Sequence, residues 1–231
     1  MVSRILIFVF AIAFVNASVQ LGTNPYSSTP SSTASSEVFV PTAAPVVAPT
    51  VQTTSVTNKY SALVQKASSV LKLSEEQRAS AEAITLALSG ARTEVNNNLA
   101  AYLLATAFVD ANLIPSVEKA STDARIKAVQ AKYTATGFQG RGFVHFTGAF
   151  NYNRYSTQFK LGLAGNPDLL LKADVAANIL VNGALSGFIT GQKIEKFIPA
   201  TGSVDLIAAR TAINGNYLAA QVKQIAEQIS A

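Results

Sequence analysis

Residues 99–118, LAAYLLATAFVDANLIPSVE, decide how the rest of the chain is read. Leu99, Tyr102, Leu103 and Thr106 recur at three- and four-residue spacing, which predicts a helix, beginning near Glu94, with these four on its inward face. Asp110 stands eleven residues after Leu99, close to a whole number of turns, so the same phase carries a carboxyl to the end of that apolar face. It is expected to point toward the interior or a cleft. Burial raises a carboxyl pKa and the negative end of a helix dipole raises it further, which is the setting a general acid needs. Eight residues on, past Pro115, Glu118 is expected in or beside a loop, where it stays ionised. A protonated carboxyl facing an ionised one is the pairing of glycoside hydrolysis, with about 6.5–9.5 Å between them for inversion. The plainer reading makes Asp110 a polar helix-end residue and Glu118 a solvated one, and spacing alone does not choose.

Helical patterning extends to both sides of this segment. Tyr60, Leu63, Val64, Ala67, Val70 and Leu71 repeat at helical spacing, and Ser74-Glu75-Glu76-Gln77 has the form of a capping box opening a second helix that Gly90 is placed to end. Residues 121–133, 173–184, 206–213 and 217–229 read as further helices, with a Gly-rich extended stretch at 137–148. The expected fold is mainly α, a single domain over residues 59–231 without an internal repeat.

Two segments of different character precede this domain. In residues 1–17, Arg4 stands ahead of the unbroken apolar run ILIFVFAIAFV, which is too short to span a bilayer, and Val15-Asn16-Ala17 offers a cut before Ser18. This is the pattern of a cleaved secretory signal peptide, the other reading being an uncleaved anchor or a buried strand. Residues 18–58 hold 16 Ser or Thr and five Pro against one charge, Glu37, and so lack the apolar surface needed to offset ordering. They read as a disordered stalk or linker and as the place for any O-linked glycan. The expected product is secreted, extracellular or associated with a cell wall, with no membrane attachment once the signal is cut.

Composition removes several kinds of chemistry. The chain has no Cys and one His, His145, so a disulfide framework, a thiol nucleophile and a zinc site of the usual kind are not expected. Serine–histidine catalysis would have to use His145 without a nucleophile elbow. Gly137, Gly140, Gly142 and Gly148 do not follow a strand at the spacing of a dinucleotide or P-loop motif. Within residues 59–231, 17 basic residues outnumber 12 acidic ones, which suits an anionic partner such as a bacterial wall. These cations are spread without a dense stripe, so nucleic acid is not expected as a partner.

Four motifs, in order, carry a resemblance. AYLLATAF followed by Val109-Asp110-Ala111 is similar to the helix of glycoside hydrolase family 19 that runs into His-Glu-Thr, especially in the short phage and bacterial members. GFQGRGFVHFTGAFNYNRYS at 137–156 resembles that family's Gly-Arg-Gly, aromatic, Gln, Thr and Asn-Tyr pattern. Asn166-Pro167-Asp168-Leu169 with ADVAANIL, and ARTAINGN at 209–216, resemble its Asn-Pro-Asp-Leu and Ile-Asn-Gly stretches. Together they span most of residues 70–228. The resemblance implies a two-lobed, lysozyme-like module, expected as a monomer without a cofactor. Such a module cuts β-1,4-linked N-acetylglucosamine polymers, chitin or peptidoglycan, with inversion. It puts Asp110 in the place of the acid and Glu118 in that of the base. It further implies that Thr147, Asn151, Tyr152 and Asn214 lie along the sugar subsites, and that Arg141 is structural or orients a carboxylate.

The departures from that pattern fall on the chemistry. Asp110 replaces a Glu and reaches about 1 Å less far, a displacement that can cost on the order of a hundredfold in rate. Val109 and Ala111 replace His and Thr, and His145 stands where the family has Gln. His145 is either a sugar ligand in place of that Gln or a residue satisfied by neighbouring backbone. The aromatic run Phe138, Phe143, Phe146, Phe150, Tyr152 and Tyr155 suits a core and a sugar-stacking cleft equally. A second functional reading follows, in which the protein is a degenerate relative that binds such glycans without cutting them.

Overall fold

Every residue from Leu99 to Ala107 is buried in the computed structural model. The model describes residues 57–231 apart from Thr93, and the expected signal peptide and all but the last two residues of the expected linker lie outside the described residues. The segment that decides the reading is therefore a central helix, α3 (Asn97–Ala111), and not the one-sided helix its spacing suggests. It starts three residues later than Glu94 because Asn96 caps it, its side chain accepting from the Leu99 N–H. It stops where Asn112 and Leu113 turn left-handed, at φ of 52° and 55°.

The remaining helices are α1 (Ser61–Leu71), α2 (Glu75–Ala91), α4 (Ala124–Ala135), α5 (Ala149–Phe159), α6 (Ala173–Ser186) and α7 (Ala219–Ser230), of which α1, α2 and α7 pack against α3. The Ser74–Gln77 capping box at the start of α2 is formed in both directions, but the helix continues through Gly90 to Ala91. α3 lies against α7 and α2 against α6, and Ile84, Leu88, Leu103, Leu180, Val222 and Ile229 are among the residues they bury. The stretch expected as a helix at 206–213 is a short 3-10 turn, Ala208–Ala212. The fold is mainly helical.

Two features depart from the helical rule and position the candidate residues. β1 (Ser116–Val117) and β2 (Arg141–Gly142) form a short antiparallel ribbon, with α4 inserted between them in sequence. After the ribbon, α5 buries Tyr152 and Tyr155 into a second apolar cluster with Phe146, Leu163, Leu170 and Ile179, separate from the main core.

Candidate functional site

The pairing of β1 with β2 fixes Glu118. Ser116 lies opposite Gly142 and Val117 opposite Arg141. The ladder then continues one step, with the Glu118 N–H donating to the Gly140 carbonyl at 2.8 Å. Gly140 is needed there for space. The point where a Cβ would stand on it lies 2.8 Å from Glu118 Oε2 and 2.9 Å from His145 Cβ. Glu118 and His145 thus lie over one backbone position.

His145 arrives by a tight hairpin. Arg141 and Phe146 exchange backbone hydrogen bonds of 3.2 and 2.8 Å, and the four-residue loop between them takes left-handed φ at Gly142 (85°) and His145 (50°). Glycine adopts that conformation freely, whereas histidine is strained in it. Burial pushes the His145 pKa below the ordinary 6.5, while the Glu118 and then the Asp110 carboxylates pull it back up. The single histidine therefore stands within electrostatic reach of both candidate carboxylates.

Asp110 is inward-facing but not isolated. Arg210, fully buried, donates from Nη1 to Oδ2 at 3.0 Å and from Nη2 to Oδ1 at 2.5 Å, and only 4% of the Asp110 side chain is exposed. Both carboxylate oxygens are occupied by donors, so a cation compensates the burial of Asp110. Arg210 also donates from Nε to the Tyr217 carbonyl at 2.8 Å, which ties the loop after the 3-10 turn to the end of α3. Sequence reasoning passed over Arg210, although it is the one charged residue of the otherwise apolar or small stretch IAARTAI.

The other candidates divide by exposure. Arg141 is buried and braces the hairpin, donating to the Gly137 and Gln139 carbonyls at 3.0 and 3.2 Å and from Nε to Asp168 at 2.8 Å. Tyr152 is fully buried, its hydroxyl donating to the Gln139 carbonyl at 2.9 Å. Its place along a sugar subsite is corrected, because it presents no surface to a ligand. Thr147 and Asn151 are half-buried and linked in series, Thr147 Oγ1 donating to the His145 carbonyl (2.6 Å) and Asn151 Nδ2 to the Thr147 carbonyl (2.7 Å). Asn214 is half-buried on the Arg210-braced loop. Of the aromatic run, Phe143, Phe146, Tyr152 and Tyr155 are core, Phe138 packs against the second cluster, and Phe150 is 74% exposed.

Among the described residues no group of three or more His, Asp or Glu side chains is arranged to hold a metal ion, and no helix is long and apolar enough to cross a membrane. Two surface depressions elsewhere, one lined by Arg92, Glu94 and Glu195 and one by Asp205, Lys223 and Glu227, include none of the candidate residues. Comparison with protein-family models, curated proteins and solved structures returned no match.

Proposed function

We propose that the folded domain is a two-lobed, family 19-like module that holds β-1,4-linked N-acetylglucosamine polymers, chitin or peptidoglycan, outside the cell, without cutting them. The observation that carries the absence of cutting is the Asp110–Arg210 pair. Inverting hydrolysis needs a carboxyl that delivers a proton to the leaving oxygen. Asp110 has both oxygens engaged by a buried guanidinium. The glycan assignment draws on the order of the four motifs and on the half-buried amides and hydroxyl of Thr147, Asn151 and Asn214, groups of the kind that recognise sugar hydroxyls and N-acetyl groups. The second apolar cluster around Tyr152 and Tyr155 supports a second lobe.

One observation favours hydrolysis as a second reading: Glu118 and His145 lie over one backbone position, and the Asp110 carboxylate is within electrostatic reach of the same imidazole. In that reading Glu118 activates water and Asp110 leaves Arg210 when sugar enters. The experiment that separates the two is binding and product analysis of the full chain on chitin oligosaccharides and on peptidoglycan, repeated with Glu118→Gln. Binding without products supports the proposal. Products that vanish in a folded Glu118→Gln variant establish hydrolysis, and neither binding nor products removes both readings.

A further inference from the structure

A pyranose ring has apolar C–H faces and a hydroxyl-lined edge, so a polymer site pairs flat aromatic surfaces with amides and hydroxyls. Phe150 is exposed because of helix register. Tyr152 and Tyr155, two and five residues on, point into the second cluster, which leaves Phe150 on the outward side of the first turn of α5. The start of the helix that carries it is tied to the preceding loop, because Asn151 Nδ2 bonds the Thr147 carbonyl and Thr147 Oγ1 bonds the His145 carbonyl. On the other side, the Arg210 guanidinium that clamps Asp110 holds the Tyr217 carbonyl as well, at 2.8 Å, and Tyr217 is partly exposed. Burial raises the pKa of its phenol, and the Asp110 carboxylate raises it further.

Each of these rings has an asparagine close by in the chain, Asn151 next to Phe150 and Asn214 in the same loop as Tyr217. The arginines nearby are taken up within the protein, Arg141 by Asp168 and Arg210 by Asp110, which argues for a neutral ligand over an anionic one. We infer that Phe150, on the His145 side, and Tyr217, on the Asp110 side, are the surfaces on which separate sugar rings of one glycan chain stack. This inference rests on the glycan reading above and names its contact residues.

The test is calorimetric titration of the full chain with the hexamer of N-acetylglucosamine. Phe150→Ala and Tyr217→Leu should each weaken binding by about tenfold, the size of one lost aromatic contact. Phe150→Tyr and Tyr217→Phe, which keep the rings, should stay within about twofold, as should Val95→Ala, an exposed apolar residue elsewhere. Thermal melts confirm that each variant is folded, and the two ring-keeping variants carry the test if a truncation is not. Wild-type binding unchanged in both truncations, or lost equally in the ring-keeping variants, overturns this inference alone. A wild-type chain that binds neither the hexamer nor peptidoglycan overturns the glycan reading and this inference with it.

Discussion

Arg210 grips Asp110 across a hundred residues of sequence, with the arginine side chain fully buried and the aspartate 4% exposed. A buried pair of this kind adds little over an apolar pair of the same shape, but removing one partner strands the other charge at a cost of about 3–5 kcal/mol. Asp110→Asn is therefore expected to lower unfolding free energy by about that amount, and the double change Asp110→Leu with Arg210→Met by much less. Urea denaturation of the single and double variants checks this. A stable Asp110→Asn protein would mean that the pair is not closed as described. Because of this cost, loss of glycan activity in Asp110→Asn carries meaning only alongside a measurement of folding.

His145 makes stability depend on pH. Its folded pKa lies below the ordinary 6.5 because it is buried, so as pH falls the unfolded chain takes up the proton first. The His145 contribution is constant above that value and becomes destabilising as pH drops through and below it, reduced by the neighbouring Glu118 and Asp110 carboxylates. The urea midpoint should fall between about pH 7.5 and about pH 5, and His145→Gln should flatten that step. Titration of the imidazole by NMR with a midpoint above the ordinary histidine value would contradict it.

How much of this was open to sequence reading depended on whether the signal was local. The Ser74–Gln77 capping box is a contact among neighbours, and it formed. The phase of Asp110 on α3 was likewise local, and the side chain does face inward. Its partner was not legible, because Arg210 reaches it only after α6 and the 3-10 turn return the chain to α3. α5 was missed for another reason. AFNYNRYSTQF is poor in strong helix formers, and its periodic signal, Tyr152, Tyr155 and Phe159, is short and follows directly on the glycine-rich stretch 137–148, so no helix is read there. Tertiary burial of the two tyrosines outweighs that local propensity.

Gly183 shows what this packing demands. A Cβ on it would stand 2.7 Å from Ile189 Cγ1 and closer still to the Tyr155 hydroxyl, which has no hydrogen-bond partner among the described residues. Gly183→Ala is expected to destabilise by about 1–3 kcal/mol through overpacking. Tyr155→Phe removes a buried hydroxyl without a partner and should be neutral or stabilising by up to about 1 kcal/mol. The double variant should recover part of the alanine cost. Thermal unfolding of the three proteins measures it, and purely additive effects would show that the hydroxyl is not what Gly183 makes room for.

Gly140 offers the most direct test of the site, because its backbone φ is not left-handed and alanine is excluded there by space alone. The added methyl would meet Glu118 Oε2 at 2.8 Å, His145 Cβ at 2.9 Å and Glu118 Cβ at 3.0 Å. The carboxylate end can swing aside, but the two Cβ atoms move only with their backbones, so relief must come from the 116–118 strand or the 142–145 loop. Gly140→Ala should therefore cost about 1–3 kcal/mol in unfolding free energy and separate Glu118 from His145. The separation has its own signature, since losing the carboxylate that raises it most lowers the His145 pKa further than in the wild type. An imidazole titration that shifts downward, together with weakened binding of the N-acetylglucosamine hexamer, is the expected outcome. An unshifted imidazole in a folded Gly140→Ala protein would show that Glu118 and His145 do not share this position, and the candidate site would lose the contact that holds it together.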